Sequence, residues 1–208
     1  NFTEMNYDLM VNFNKYVSDK LNISGVLGTN IRRNDFASIR ASTNGGLVLP
    51  GLFSLSNSVN LPNAPEETLE KIGVDGVYGL ASFGYDNTIY LDVTGRFDHS
   101  STLPSENSTY FYPSISTSFI FSNLLGDGKK FSFGKLRLNY AEVGSSAPAN
   151  SLTDVLNKPT PFGAVPLYGV NSTKNNEELL PESTVSVEGG LELRFFENRL
   201  RLDMSVYK

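Results

Sequence analysis

The one histidine, His99, stands in Arg96-Phe97-Asp98-His99-Ser100-Ser101, beside an acid and two hydroxyls, the residue types of a nucleophilic triad. Neighbours on one strand end point alternately to opposite faces, so these side chains do not converge as a triad must. A second histidine and any cysteine are missing, which leaves no thiolate or imidazole set for a metal. Gly126-Asp127-Gly128-Lys129-Lys130 has the composition of a phosphate loop but not its spacing, because no glycine stands five positions before Gly128. The acid pairs Glu66-Glu67 and Glu177-Glu178 are adjacent in loop-like stretches and splay apart. Glu188 and Glu192 share a strand face near Arg194 and Arg199, as a charge-balanced lining would. Acid, base, nucleophile and metal ligands nowhere assemble, so neither an enzyme nor a cofactor is expected.

Composition narrows the class further. The 208 residues are 39% hydrophobic, with 14 Phe, 10 Tyr, no Trp and no Cys, and 17 basic residues face 22 acidic ones. The apolar fraction is that of a folding chain, yet charged residues at 19% fall below the roughly 25% of soluble domains. The net charge of −5 and the absence of a Lys/Arg cluster exclude a nucleic-acid partner, which needs a basic face. The uncharged stretch from Ala41 to Pro65 is broken by Gly45, Gly46, Pro50, Gly51 and Pro62, so it is no spanning helix. The start, Asn1-Phe2-Thr3-Glu4, lacks a Met, a basic region and an apolar run, which reads as a mature or excised segment.

The elements that must position these residues follow from period-two alternation. Met5, Tyr7, Leu9, Val11 and Phe13 alternate with polar residues, and Leu21, Ile23, Leu27 and Ile31 do the same after Val17-Ser18-Asp19-Lys20. A second hairpin runs from Val77 to Tyr85, turns at Asp86-Asn87 and returns from Ile89 to Phe97. A third joins Phe111–Phe121 to Leu136–Tyr140 across 123–133, with Pro113 near the start of its strand. The fourth joins Val185–Phe195 to Leu200–Val206 through Glu197-Asn198. The spacing therefore predicts eight antiparallel strands in four hairpins, with long loops at about 33–72, 99–110 and 145–182. The apolar faces lack charges and the opposite faces are polar over runs of about ten residues, with short turns at one rim and long loops at the other. That is the pattern of a transmembrane β-barrel. Two other readings share part of it: a secreted soluble β-sandwich that binds glycans, and a passive porin-like barrel. Tyr7, Phe13, Tyr85, Phe97, Phe111, Phe121, Tyr140 and Phe195 lie where an interfacial aromatic girdle would be.

Several stretches carry a family resemblance. Tyr78-Gly79-Leu80 through Tyr85, then Tyr90-Leu91-Asp92-Val93-Thr94-Gly95-Arg96-Phe97-Asp98-His99-Ser100-Ser101, resemble the strand-turn-strand of SusC/RagA TonB-linked outer-membrane transporters. In the same order follow Tyr112-Pro113-Ser114-Ile115-Ser116, Lys135-Leu136-Arg137-Leu138-Asn139-Tyr140-Ala141-Glu142-Val143-Gly144 and Leu180-Pro181-Glu182. Glu188-Gly189-Gly190-Leu191-Glu192 and Asn198-Arg199-Leu200-Arg201-Leu202-Asp203-Met204-Ser205-Val206-Tyr207 complete the series, and Gly51-Leu52-Phe53-Ser54-Leu55-Ser56-Asn57-Ser58 resembles a loop found upstream.

The resemblance implies that residues 1–208 are part of one TonB-dependent receptor-like barrel domain, a middle-to-late piece of a 22-stranded barrel. It further implies an outer-membrane importer of large nutrients, oligosaccharides or peptides, from a Bacteroidota-type bacterium. The expected partners are a SusD-like surface lipoprotein, the TonB complex acting through plug parts outside this sequence, and outer-membrane lipid. Expected lumen-facing residues are Tyr90, Asp92, Arg96, Asp98, Arg137, Glu188, Glu192 and Arg194. Expected lipid-facing residues are Leu9, Val11, Ile23, Leu91, Val93, Phe119, Leu138, Leu191, Leu193 and Leu202.

Overall fold

Each alternating run pairs with its neighbour in sequence, because a run with one apolar face gains nothing from folding alone and hairpin turns bring the next run alongside. The computed structural model describes residues 1–125, 130–159, 161–163 and 165–208; the Gly126-Asp127-Gly128-Lys129 stretch lies outside them. The strands are β1 (Phe2–Tyr16), β2 (Leu21–Arg40), β3 (Asn44–Leu47), β4 (Ser58–Asn60), β5 (Glu66–Tyr85), β6 (Ile89–Ser100) and β7 (Thr109–Phe119). They continue with β8 (Phe131–Ser145), β9 (Leu156–Asn157), β10 (Gly169–Val170), β11 (Glu182–Phe195) and β12 (Leu200–Tyr207). Eight form one antiparallel sheet in the order β1-β2-β5-β6-β7-β8-β11-β12. These are the four expected hairpins. The small pairs β3/β4 and β9/β10 lie within the long connections.

Turn chemistry fixes the tight rim. Asp86 and Asn87 adopt left-handed φ values of 49° and 51°, as a two-residue hairpin turn requires, and the Thr88 amide donates to the Tyr85 carbonyl at 2.9 Å. Between β11 and β12 the left-handed run takes in Phe196 as well as Glu197 and Asn198. Ser132 Oγ holds it by accepting from the Glu197 amide at 2.9 Å. The β7–β8 connection carries one helical turn, α1 (Ser122–Leu125). Pro113 lies inside β7, and the ladder to β8 begins only at Ser114. A residue without an N–H is tolerated where a ladder ends.

The long connections are shorter than the spacing predicts. β2 and β5 pair without a break from Leu21↔Tyr85 to Arg40↔Glu66, so the first loop proper is 41–65. Alternation fails to reveal 33–40 and 66–72 because both faces of that ribbon mix polar with apolar residues: Arg32, Asn34 and Phe36 on one side, Arg33, Asp35 and Ile39 on the other. The other two loops shrink to 101–108 and 146–181.

The sheet is a single layer. Among the described residues only Val74 and Leu103 are buried apolar side chains, whereas Leu9, Val11, Leu27, Val77, Val187 and Val206 are open on one face. A sandwich would cover that face with a second sheet, and none does so among the described residues. Within the apolar run that face carries no charge. Lys15 sits at its tight-turn end, and Arg33, Asp35, Lys71, Asp75 and Glu142 lie beyond its other end, which corrects the expectation of a face uncharged throughout.

Candidate functional site

Partnered residues in an antiparallel ladder share a face, so register assigns every side chain. Tyr90 is opposite Gly84 and Ser118, and Asp92 opposite Ser82 and Ser116. Ser118 leads to Arg137, Arg137 to Gly190, and Glu192 to Asp203. Tyr90, Asp92, Arg96, Asp98, Arg137, Glu188, Glu192 and Arg194 thus occupy one face. Leu9, Val11, Ile23, Leu91, Val93, Phe119, Leu138, Leu191, Leu193 and Leu202 all occupy the other.

The polar face holds two built clusters. Near the long-loop rim, Arg96 Nε donates to Asp98 Oδ1 at 2.8 Å, the Tyr112 hydroxyl donates to Asp98 Oδ2, and the Arg96 guanidinium sits 5.6 Å from the Tyr78 ring centre. Tyr110 stacks on Tyr112 at 5.9 Å. Glycines on the strands beneath make this possible. A Cβ at Gly28 would fall among the Tyr78 ring atoms, one at Gly76 would lie 2.6 Å from Arg96 Nη2, and one at Gly144 would lie 2.5 Å from the Tyr110 ring. The large side chains lie flat over these sockets instead of standing off the sheet. Gly76→Ala is expected to displace the Arg96–Asp98 pair and destabilise the protein by about 1 to 3 kcal/mol, measured by urea unfolding of the intact protein.

The second cluster lies on the tight-turn side of the first, where Glu192 is only 7% exposed in its side chain. Arg194 Nη2 and Arg201 Nε approach its Oε1 at 2.8 and 3.1 Å, and Arg137 Nη1 approaches Oε2 at 3.8 Å. Arg137 and Arg201 also reach Asp203 at 2.7 and 3.1 Å. Gly190 leaves the space that Arg137 crosses, and Arg194 lies over Phe133 at 4.8 Å. Between the clusters, Ser116 Oγ donates to Asn139 Oδ1 at 2.7 Å and Asn139 Nδ2 reaches Glu188 Oε2 at 3.5 Å. Tyr90 and Asp92 join Tyr16, Asp19, Asn22 and Asp86 around a polar hollow of about 360 Å³.

The partners Tyr78, Tyr110, Tyr112, Arg201 and Asp203 are absent from the eight residues singled out in the sequence. Strand parity marks their face, but contact across three or four strands needs the register. His99 and Asp98 point to opposite faces, and His99 Nδ1 meets only Thr109 Oγ1, at 3.2 Å. No His/Asp/Glu group able to hold a metal occurs among the described residues.

At the tight-turn rim Lys20 Nζ meets Asp86 Oδ2 at 3.0 Å, and this hydrogen bond holds the ammonium pKa above its ordinary value. Both groups are exposed, so Lys20→Ala is expected to leave the unfolding midpoint unchanged within error. On the apolar face Phe119, Phe121, Phe131 and Phe195 contact in sequence at ring-centre spacings of 5.7 to 6.2 Å. Phe97 and Phe111 meet at 4.5 Å toward the other rim.

A single-layer antiparallel sheet with one apolar face, one charged and hydrogen-bonded face, tight turns at one rim and long loops at the other is the wall of a membrane β-barrel. The family model described as TonB dependent receptor-like, beta-barrel, matches residues 1–208, and the chain belongs to that family. The TonB-dependent receptor P3 of Formosa agariphila is 27% identical over 148 residues, covering 69% of this chain and 15% of the relative. The RagAB peptide transporter superposes with a TM-score of 0.84 at 20% identity, covering 99% of this chain and 23% of that one. The siderophore receptor PirA of Pseudomonas aeruginosa gives 0.55 at 14% identity, covering 99% and 32%. The chain therefore spans between 15% and 32% of these relatives' lengths.

Proposed function

We propose that the chain is a wall-and-loop segment of a TonB-dependent outer-membrane importer that admits large polar nutrients, oligosaccharides or peptides, beneath a SusD-like surface lipoprotein. The observation that carries this reading is the register itself. It sorts Leu9, Val11, Leu91 and Leu191 onto one face and Arg96, Asp98, Arg137 and Glu192 onto the other, which suits lipid outside and a water-filled lumen inside. The likeness to RagAB, a peptide transporter, supports a two-component importer over a simple pore. The wall performs no bond chemistry; the clusters hold its inner side chains flat and in place, and the loops at the far rim meet lid and solute.

The test uses the native polypeptide containing this segment. Expected results are recovery in the outer membrane, release only by detergent, and nutrient uptake that stops when the proton gradient is collapsed or TonB is deleted. Uptake that survives both treatments would favour a passive pore, and a species soluble without detergent would overturn the membrane reading.

A further inference from the structure

The polar hollow at the tight-turn rim is organised as a trough. Register sets two neighbouring rows on the charged and hydrogen-bonded face: Tyr16, Asn22, Gly84 and Tyr90 in one, and Ser24, Ser82 and Asp92 in the other. The rows are two residues apart along each strand, a separation of about 7 Å. Tyr16 and Tyr90 close the ends of the first row, three inter-strand steps or about 14 Å from each other. Gly84 sets the pose of Tyr90. A Cβ there would lie 3.3 Å from the tyrosine ring and 4.0 Å from Asn22 Cβ, so the ring leans over the glycine instead of standing off the sheet. The space left between the rows and the tyrosines is about 360 Å³.

The polar groups of the trough are only partly spent. Asn22 Nδ2 donates to Asn14 Oδ1 at 2.9 Å, which leaves the Asn22 Oδ1 as an acceptor. Lys20 engages Asp86 at 3.0 Å. Asp92 stands half-buried between Ser82 and Ser116, and among the described residues its carboxylate meets neither a cation nor a hydrogen-bond donor. Ser24 and Ser82 keep hydroxyls that can donate and accept. The ring of a sugar carries hydroxyls along its edge and C–H groups on its face. A carboxylate, a carboxamide and hydroxyls within a few ångströms of one another match the edge, and a tyrosine ring matches the face. Phe83 also borders the trough, but its register puts it on the opposite face, so the aromatic surface inside is that of the two tyrosines. No Val, Leu, Ile or Met lines the hollow among the described residues, which leaves an aliphatic peptide side chain without a socket there.

We propose that this trough is a sugar subsite on the importer's inner wall, where an uncharged oligosaccharide stacks on Tyr90 and Tyr16 and hydrogen-bonds to Asp92, Ser82 and Asn22. The proposal rests on the importer reading above and names its substrate class. The test uses the purified full-length transporter, incubated with two pools: short neutral oligosaccharides released from plant, algal and fungal cell walls, and tryptic peptides. Molecules retained through gel filtration are identified by mass spectrometry, and the affinity of the retained species is then measured by calorimetry. Retention of an oligosaccharide is expected. Tyr90→Ala and Asp92→Ala are each expected to weaken its binding about tenfold, whereas Tyr90→Phe, which keeps the ring, binds as the unaltered protein does. All variants should keep the barrel's heat-modifiable migration. Equal binding by every variant would place the sugar elsewhere and overturn the subsite. Retention of peptides alone would overturn it in favour of the aliphatic hollow nearer the long loops, which Met10, Val26, Leu80 and Val143 line, and retention of neither pool would overturn it as well. Each of these results leaves the importer reading standing, because that reading is decided separately by uptake without TonB.

Discussion

Arginine at Val93 in the full-length protein is expected to lower the stability of the inserted barrel by about 2 to 4 kcal/mol, the cost of a guanidinium at a bilayer midplane. Val93 is the middle of the outer-face run Ile89, Leu91, Val93, Gly95 and Phe97 on β6, and Leu191 is near the middle of the run Val185 to Phe195 on β11. Leu191→Arg is expected to cost a similar amount. Leu91→Arg is expected to cost less, because Leu91 is one step nearer the tight-turn rim and a long side chain can snorkel to water from there. Reversible unfolding from liposomes with guanidinium gives these numbers. Equal, negligible losses at Val93 and Leu191 would show that this face does not meet lipid.

The second large effect belongs to Glu192. Its carboxylate lies among Arg137, Arg194 and Arg201 and is nearly closed off from solvent. Removing one partner from such a group leaves the remaining charges poorly compensated, which costs about 3 kcal/mol or more. Glu192→Ala is therefore expected to destabilise the barrel by that order, because Arg137 and Arg201 are left to share Asp203 and Arg194 loses its carboxylate. Glu192→Gln should lose somewhat less, since an amide oxygen still accepts hydrogen bonds. A double-mutant cycle between Glu192 and Arg194, read by the same unfolding measurement, should show coupling; simple additivity would mean that the close contacts do no energetic work.

Much of this wall was legible from alternation. The β5–β6 and β11–β12 hairpins could be read because apolar residues recur at every second position and Asp86-Asn87 and Glu197-Asn198 are turn formers. The far halves of β2 and β5 were hidden, because a ribbon that mixes polar and apolar residues on both faces has no alternation to read and backbone pairing alone extends it. The site was legible as a face but not as a cluster. Parity puts Arg96 and Asp98 together, yet nothing in the sequence says that Gly28 and Gly76 make room for Tyr78 and Arg96, or that Arg201 and Asp203 on the next strand close around Glu192. Those facts depend on which residues stand side by side across the sheet, and small offsets in pairing decide them.

The strict neighbour order of the sheet has a mechanical meaning. Each of the eight strands is tied along its length to the strands beside it, and among the described residues no second layer binds distant hairpins together. Its cohesion is then that of a one-dimensional array in which units and the seams between them add up. Tension applied at one end would draw such a wall out hairpin by hairpin, each remaining hairpin keeping its seam to the next until its own turn under load.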